Sequence, residues 1–348
     1  MNINVIDFFC GCGGSSAGLE KSGMNIIAGI DIDKNALETF KHNFKSAEIF
    51  SQNIRDLIPE DLCEVIGTNK SSKLLFAVCA PCQPFSTQNR LKDSDDERIS
   101  LLAEFHRFVE YFEPDYIILE NVPGIQRVDN GPFTNFIVFI EAKGYKVDFQ
   151  VLNAMDYGVP QSRKRLVLIA TKNGTIELPT STHGKTKDKL NYITVKDAIA
   201  KYPKLDAGDN SDKSHKYPNH VCANMQEITL KRLKATPEGG DRRDWPKSLW
   251  LECHKNHNGH NDVYGRLSWD KPSVTLTTKC VSISNGRFGH PDQLRALSVR
   301  EAAALQSFDD SFKFIGNMRD AAKQVGNAVP VLFAKALGDQ VVSHMRGE

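Results

Sequence analysis

Apolar runs alternate with amphipathic stretches along the first half of the chain. The runs are rich in Ile, Val, Leu and Phe, which is typical of strands buried on both faces, and the stretches repeat with helical period. Strands are predicted at 3–9, 26–32, 74–78, 116–119, 146–152 and 166–171, and helices at 36–44, 99–112 and 133–143. Alternation of this kind predicts βαβ units, and so a doubly wound α/β sheet with helices on both faces.

The amino-acid composition changes near residue 175, where the sequence becomes polar and rich in Gly, Pro, Asn and His. Regular patterns return at 298–305 and in a C-terminal helix at 331–342. We therefore predict two domains. The larger comprises residues 1–175 and 315–348, and a smaller, irregular domain comprises residues 176–314.

The composition fits an intracellular protein that meets a polyanion. The 348 residues are 40% hydrophobic and include eight scattered cysteines, which we expect to be reduced. No secretory segment or long apolar run is visible, so a soluble protein without a membrane partner is expected. The net charge of +1 hides an asymmetry, because residues 172–290 hold 20 Lys/Arg and 13 Asp/Glu. This basic segment indicates contact with a polyanion, or else a solvated lysine-rich surface.

One cysteine follows a strand in a segment that cannot be helical. Pro81 and Pro84 flank Cys82 and restrict the preceding residues to extended geometry. Cys82 is therefore predicted to be a nucleophile on a stiff, exposed turn. The next predicted strand ends at Glu120, which would bring a carboxylate to the same edge of the sheet.

A glycine-rich turn follows the first strand, at residues 9–18. Glycines there allow backbone amides to approach a ligand at the start of the next helix. Asp31 ends the second strand, at the separation typical of a residue that binds ribose hydroxyls. Ser16 replaces the third glycine of a dinucleotide fingerprint, which disfavours NAD and FAD. The pattern favours another adenosine-containing ligand, with a purely structural tight turn as the alternative.

Two further groupings of cysteine and histidine invite a metal or redox interpretation. Cys79 and Cys82 form a CxxC, but the second proline argues against a helix opening there, and Cys79 is predicted to be a small buried hydrophobe. The group Cys253, His254, His257 and His260 lacks a second ligand cluster of suitable spacing, so polar contacts to DNA or a surface loop are favoured over zinc.

Six motifs in order resemble those of the DNA (cytosine-5)-methyltransferases, with the compact length of the bacterial modification enzymes. They are Phe9-Cys-Gly-Cys-Gly-Gly, Pro81-Cys82-Gln83, Glu120-Asn121-Val122, Gln161-Ser-Arg163-Lys-Arg165, Arg300-Glu301-Ala-Ala and Gln324-Val-Gly-Asn327-Ala-Val329-Pro. The resemblance implies a Rossmann-like catalytic domain with a mixed sheet, and a small domain, residues 176–314, that includes the target-recognition region.

The resemblance also implies roles for individual residues. Cys82 would be the nucleophile, Glu120 would bind cytosine N3, Arg165 would contact the base carbonyl and Arg163 would support the pocket. S-adenosylmethionine would be held by Phe9, Gly11, Gly13, Gly14, Asp31, Ile32, Asn53, Ile54, Leu101, Asn327 and Val329. The family commonly has Asp at the position of Asn53, and a bulky aromatic at that of Ile32, where adenine stacking would be weaker.

Double-stranded DNA is the implied macromolecular partner. Gln83, Ser86, Gln161, Arg242, Arg243 and Thr275 are the candidate DNA-binding residues, and the polar segment 87–97 is predicted to close over the site or to be a surface connection. The resemblance further implies a cytoplasmic, nucleoid-associated monomer, with a cognate restriction endonuclease as a functional partner. The alternatives are the tRNA-methylating branch of the family and a catalytically silent DNA-binding protein.

Overall fold

A seven-stranded mixed sheet forms the framework of the chain. The computed structural model describes residues 2–67, 72–80, 101–210, 216–255, 259 and 262–348. The strands are β1 Ile3–Phe8, β2 Asn25–Asp31, β3 Glu48–Ser51, β4 Lys73–Val78, β5 Tyr116–Asn121, β6 Lys146–Asn153 and β7 Lys164–Thr171. Their order is β3-β2-β1-β4-β5-β7-β6. The first five are parallel, and β7 is antiparallel to both β5 and β6, which confirms the predicted mixed sheet.

Helices flank the sheet and continue into the rest of the chain. They are α1 Gly14–Lys21, α2 Lys34–Asn43, α3 Cys63–Ile66, α4 Leu101–Phe112, α5 Pro132–Ala142, α6 Val195–Ile199, α7 Glu227–Lys234, α8 Glu252–Lys255, α9 Val299–Leu305, α10 Met318–Asn327 and α11 Val331–Arg346. Among these described helices, none is both long and apolar enough to cross a bilayer.

Aromatic residues fill the space between the sheet and α4. Phe8 and Phe76 lie on adjacent parallel strands, and both are fully buried. The ring of Phe8 packs edge-on against those of Phe76, Phe105 and Phe108 at centroid distances of 5.0, 4.9 and 5.2 Å. Edge-on packing of this kind adds to the free energy of area burial. The cluster fixes the carboxyl ends of β1 and β4 relative to each other.

The strand order reverses at the central pair β1 and β4. From β1 the chain moves outward to β2 and β3, and it then returns to the other side of β1 as β4. In open α/β sheets the crevice at such a switch point, outside the carboxyl ends of the strands, is where ligands bind. The glycine-rich turn follows β1, and Cys79 follows β4, so both lie at this edge.

The chain divides into two compact units, each considered by itself. The first unit comprises Met1–Tyr157, Lys164–Ser181 and Val329–Glu348, and contains the whole sheet. The second unit comprises Gly158–Arg163 and Thr182–Ala328, in which short helices and turns predominate. The division into domains at residues 175 and 315 stays a prediction, as do the functions assigned to them.

Candidate active site

The turn after β1 uses positive backbone angles at three positions. Phe9, Gly11 and Gly13 have φ values of 59°, 52° and 94°. A Cβ atom on Gly13 would lie 2.4 Å from Cε2 of Phe44, so only glycine fits there without displacing that ring. Gly14 then begins α1. The turn therefore brings its backbone and the amino end of a helix to the switch point, which is an arrangement suited to binding a ligand.

Asp31 is fastened to this turn by its carboxylate. Its Oδ2 accepts a hydrogen bond from the backbone N–H of Gly11 at 2.8 Å, and its Oδ1 accepts one from Asp33 at 2.8 Å. Burial raises the pKa of Asp31, while these backbone donors oppose the rise. The carboxylate thus holds β2 and the turn together, and each oxygen keeps a further lone pair that can accept from a hydroxyl group.

The predicted adenine-flanking residues lie on a separate segment of the same unit. Asn53 Oδ1 accepts from the backbone N–H of Arg55 at 3.1 Å, and the Ile54 side chain is buried. The guanidinium of Arg107 on α4 donates to the Ile54 carbonyl. Arg107 was not predicted, and it links this segment to the helix that begins at Leu101.

Two of the predicted cofactor-binding residues, Ile32 and Val329, differ strongly in solvent exposure. Ile32 is 67% exposed beside Asp31, whereas Val329 is 5% exposed at the point where the chain re-enters the first unit. There α11 packs closely on α1, because a Cβ on Gly18 would lie 2.4 Å from the Val331 carbonyl oxygen. Asn327 ends α10 and belongs to the second unit.

A buried acid beneath the turn was missed by sequence reasoning. Asp7 on β1 is fully buried, and the Ser16 hydroxyl donates to its Oδ2 at 2.7 Å. Its Oδ1 has no hydrogen-bond partner. Burial raises the pKa of Asp7 to about 7. This pair gives a reason for the serine at the third glycine position, since Ser16 supplies the donor that Asp7 needs.

Glu120 lies near the end of β5 and faces two donors of different chemistry. Arg165 on β7 places Nε 2.9 Å from Oε1, close enough for an ion pair although the N–H is not aligned as a hydrogen bond. The Cys79 thiol donates to Oε2 over 3.1 Å. Cys79 is therefore not the simple buried hydrophobe that was predicted, because it is half-buried and bonded to a carboxylate.

The neighbouring Asn121 ties the same strand end to the segment after β4. Its amide donates to the Ala80 carbonyl at 3.2 Å, which fixes the chain just before Pro81. The predicted Cys82, Gln83 and Ser86, the loop 87–97, and His257 and His260 lie outside the described residues. The described portion contains no group of three or more His, Cys, Asp or Glu side chains that could hold a metal.

Three other predicted residues brace the second unit. Gln161 is fully buried, and its amide donates to Gln306 Oε1 at 2.8 Å while accepting from the Leu276 N–H at 2.9 Å. Arg163 is buried and donates to the Leu276 carbonyl at 3.0 Å. Thr275 donates to the Ser162 carbonyl at 2.7 Å. These contacts join the Gln161–Arg163 segment to the chain around Thr275 and indicate a supporting role in the free protein.

The two adjacent arginines predicted to contact DNA differ sharply in exposure. Arg242 is buried and donates to the Gly259 carbonyl at 2.7 Å. The Arg243 side chain is 65% exposed and pairs with the buried Asp241 at 2.6 Å. Hydrogen bonds from Arg243 lower the pKa of Asp241 to about 2. Arg243 is therefore the better candidate for a contact with a polyanion.

The motif at Arg300 and Glu301 has a structural function. Glu301 is fully buried, and Arg295 donates to both of its oxygens at 2.7 and 2.6 Å. Burial alone would raise the pKa of Glu301, but the paired guanidinium holds it below its usual value. Arg300 donates to the carbonyls of Pro218, Asp309 and Phe312. The motif therefore stabilises the second unit.

Comparison with solved structures identifies the fold. A prophage-encoded protein of Escherichia coli, described as a DNA modification methyltransferase, matches with a TM-score of 0.78 over 99% of both chains, at 22% identity. The Dnmt2 methyltransferase of S. pombe matches with a TM-score of 0.67 over both full chains, at 16% identity. These similarities confirm the Rossmann-like fold.

Comparison of sequences identifies the family. The C-5 cytosine-specific DNA methylase family matches residues 3–343. The Type II methylase M.HgiDII of Herpetosiphon aurantiacus is 37% identical, with 99% of this chain and 96% of that protein aligned. The Type II methyltransferase M1.HphI of Haemophilus parahaemolyticus is 36% identical, with 98% and 87% aligned. With its six motifs in order and a match across nearly its whole length, this chain belongs to the C-5 cytosine-specific DNA methylase family.

Proposed function

We propose that the protein transfers a methyl group from S-adenosylmethionine to C5 of cytosine in a specific sequence of double-stranded DNA. The observation that carries the proposal is the site at Glu120. A buried carboxylate there lies beside the Arg165 guanidinium, at the edge of the sheet where the Cys82 segment begins. A carboxyl group and a guanidinium together can recognise the N3 and O2 edge of cytosine by hydrogen bonds.

The turn after β1 fits the cofactor. Gly11 leaves open space beside its backbone, and Asp31 offers acceptors to ribose hydroxyls. Ile32 presents an exposed apolar surface on which adenine can pack, and the Asn53 segment would flank it. Near the same turn the buried Asp7 would favour the positive charge of the cofactor. When bound, S-adenosylmethionine supplies an electrophilic methyl group.

Cys82 would make the base reactive. Cytosine C5 is a poor nucleophile, so the Cys82 thiolate adds to C6 while Glu120 delivers a proton to N3, which converts the ring to an enamine. C5 then forms a bond to the methyl carbon, and the bond between that carbon and the sulfonium sulfur breaks. Loss of the C5 proton to a base or water, with return of the N3 proton, expels the thiolate and restores the aromatic ring.

The substrate must leave the helical stack before this chemistry begins. C6 is inaccessible within duplex DNA, so the target cytosine is flipped out at a cost of a few kcal/mol. The basic second unit would select the sequence, with Arg243 exposed for phosphate or guanine. We further propose that the protein works as a cytoplasmic, nucleoid-associated monomer and protects DNA against a cognate restriction endonuclease. The similarity to Type II methylases supports this role.

Bisulfite sequencing of DNA from a host that expresses the protein tests the proposal. We expect cytosines converted to 5-methylcytosine in one sequence context, and none in a host that expresses Cys82→Ser. A parallel assay of methyl transfer from labelled S-adenosylmethionine to purified duplex DNA and to tRNA separates DNA from the tRNA alternative. Transfer to tRNA alone would reject the DNA substrate, and transfer to neither would reject the proposed activity.

A further inference from the structure

The two oxygens of Glu120 have different partners, and this difference assigns a function to Cys79. Oε1 faces the guanidinium of Arg165 at 2.9 Å, and Oε2 accepts from the Cys79 thiol at 3.1 Å. The inference rests on the proposed function, in which Glu120 must deliver a proton to N3 of the base. A proton is disfavoured on Oε1, beside a permanent positive charge, so it belongs on Oε2.

Cys79 is suited to donate a hydrogen bond and unsuited to act as a nucleophile. Burial raises the pKa of the Cys79 thiol well above its usual value, and the charge of Glu120 raises it further. The thiol therefore stays protonated at neutral pH. Its position is fixed because the Cys79 N–H donates to the Phe8 carbonyl at 3.3 Å, which extends the pairing of β4 with β1.

We propose that Cys79 is a positioning residue for the acid of the reaction. Its S–H group holds Oε2 of Glu120 toward the switch-point edge and stabilises the ionised carboxylate until the base arrives. When Oε2 takes up a proton from solvent water, this hydrogen bond must be given up or reversed, with the O–H donating to sulfur. Cys79 thus sets how readily Glu120 takes up the proton that N3 requires.

Two described charged or titratable groups act on the Cys79–Glu120 pair from the surrounding strands. Arg165 lies on β7, and Asp7 on β1 contributes its charge at Cys79. Asp7 is the group whose titration could be confused with that of Glu120. The variant Asp7→Asn removes it and leaves the Cys79–Glu120 contact intact.

Two substitutions at Cys79 have opposite expected effects. Cys79→Ala removes the donor, so Glu120 should take up its proton at a higher pH. Cys79→Ser offers a stronger donor, so Glu120 should take up its proton at a lower pH. A residue that merely fills space would not give shifts of opposite sign. Cys280→Ala is the matched control, because the buried Cys280 thiol donates to the Ala322 carbonyl and to no carboxylate.

The experiment is a pH titration followed by NMR of protein labelled with ¹³C in the glutamate carboxyl groups. The Glu120 signal is identified by its loss in Glu120→Gln, and the titration is repeated with Asp7→Asn. We expect its midpoint to rise by about half a pH unit or more in Cys79→Ala, to fall in Cys79→Ser, and to stay unchanged in Cys280→Ala. Cys79→Ala also loses the contact that holds Oε2 in place, so single-turnover methyl transfer should be about fivefold slower in spite of the easier protonation. Cys79→Ser keeps a donor at that position and should recover most of the rate.

Equal midpoints in the wild type and both Cys79 variants would overturn the inference, as would a shift that disappears in the Asp7→Asn background. If Cys79→Ala does not fold, Cys79→Ser decides the matter alone, since an unchanged midpoint there is also contradictory. The NMR result does not depend on catalysis. A wild-type protein that transfers no methyl group to DNA would therefore refute the proposed function while the Cys79–Glu120 contact is still measured.

Discussion

Each of the two units contains two buried carboxyl groups among the described residues, and the surroundings of these groups differ between the units. In the second unit, Glu301 meets Arg295 through both oxygens, and Asp241 meets Arg243 and Arg287. In the first unit, Asp7 has one hydroxyl donor and an unpartnered oxygen. Its neighbour at the same edge, Glu120, has a thiol and a poorly aligned guanidinium.

This difference distinguishes acids that stabilise the fold from those of the proposed active site. Paired guanidinium groups hold the pKa of both Glu301 and Asp241 below its usual value, so these acids stay ionised and stabilise the fold. Asp7 has no such partner, and burial raises its pKa to about 7. Incompletely neutralised carboxyl groups are costly to the fold, but they are the ones that can change protonation or receive a positively charged ligand.

Breaking the Arg295–Glu301 pair should have the largest effect. Arg295→Ala leaves Glu301 buried without its main cation, and we expect the free energy of unfolding to fall by about 3–5 kcal/mol. Urea unfolding followed by circular dichroism measures this. Lys335→Ala, which removes an exposed pair with Asp339, is the control and should have little effect. Similar stabilities for the two variants would show that Glu301 does not depend on Arg295.

Removing the charge of Asp7 should change how stability depends on pH. In the native protein the pKa of Asp7 is about 7, against a reference of 3.8, so the native state binds the proton more tightly than the unfolded state. The contribution of Asp7 to stability should therefore be full below about pH 4 and be lost as pH rises through 7, by up to about 4 kcal/mol. Asp7→Asn should lack this decrease. Parallel stability curves for the two proteins between pH 4 and 7 would contradict the burial of an uncompensated acid.

Removing Asp31 should weaken cofactor binding while the fold persists. Asp31→Ala loses the acceptor for ribose hydroxyls, and we expect a loss of about 1.5–3 kcal/mol in the binding of S-adenosylmethionine, measured by calorimetry. Asp33→Ala is the matched control. Asp33 caps α2 by accepting from Asn35 and Ala36, so its loss should lower stability by about 1 kcal/mol and leave cofactor affinity unchanged. Unchanged affinity in Asp31→Ala would remove this residue from the site.

The adjacent arginines of the second unit give the smallest expected effect. Arg243→Ala should lower the melting temperature modestly, because the buried Asp241 loses one guanidinium partner and keeps Arg287. It should also reduce the salt dependence of DNA binding by about one charge, if the side chain contacts phosphate. Arg242→Ala should lower the melting temperature as well, because it breaks a buried bond to Gly259. Filter binding over a range of salt concentrations measures the salt dependence of DNA affinity for each variant. An Arg243 variant with wild-type salt dependence and sequence choice would exclude it as a DNA contact.

The sequence predicted six of the seven strands, because the central strands are buried runs of apolar residues. It missed β3 at Glu48–Ser51, a four-residue strand with no buried residue. The helix at Met318–Asn327 was missed, since its buried face consists mainly of small residues such as Ala321 and Ala322. Its capping box from Asn317 to Asp320 was the signal that could have found it. The antiparallel packing of β7 and the burial of Asp7 depend on distant partners, which no local pattern specifies.

Sequence patterns also located Asp31 and Glu120, because strand ends in a parallel sheet meet at one edge. They could not separate Arg242 from Arg243, which are adjacent and identical in type. Their exposure depends on Asp241 and on the chain near Gly259. Cys79 could not be assigned to Glu120 either, because 41 residues separate the two in sequence.

The covalent step at Cys82 is the central claim, and trapping with 5-fluorocytosine tests it most directly. Fluorine at C5 cannot leave as a proton does, so duplex DNA with this base at the target should stay covalently bound after methyl transfer. We expect a denaturant-resistant complex that requires S-adenosylmethionine, forms with the wild type and Cys79→Ser, and is absent with Cys82→Ser. A complex that forms with Cys82→Ser but not with Cys79→Ser would show that Cys79, and not Cys82, is the nucleophile. If the wild type and both variants all fail to form a complex, the proposed covalent mechanism is contradicted.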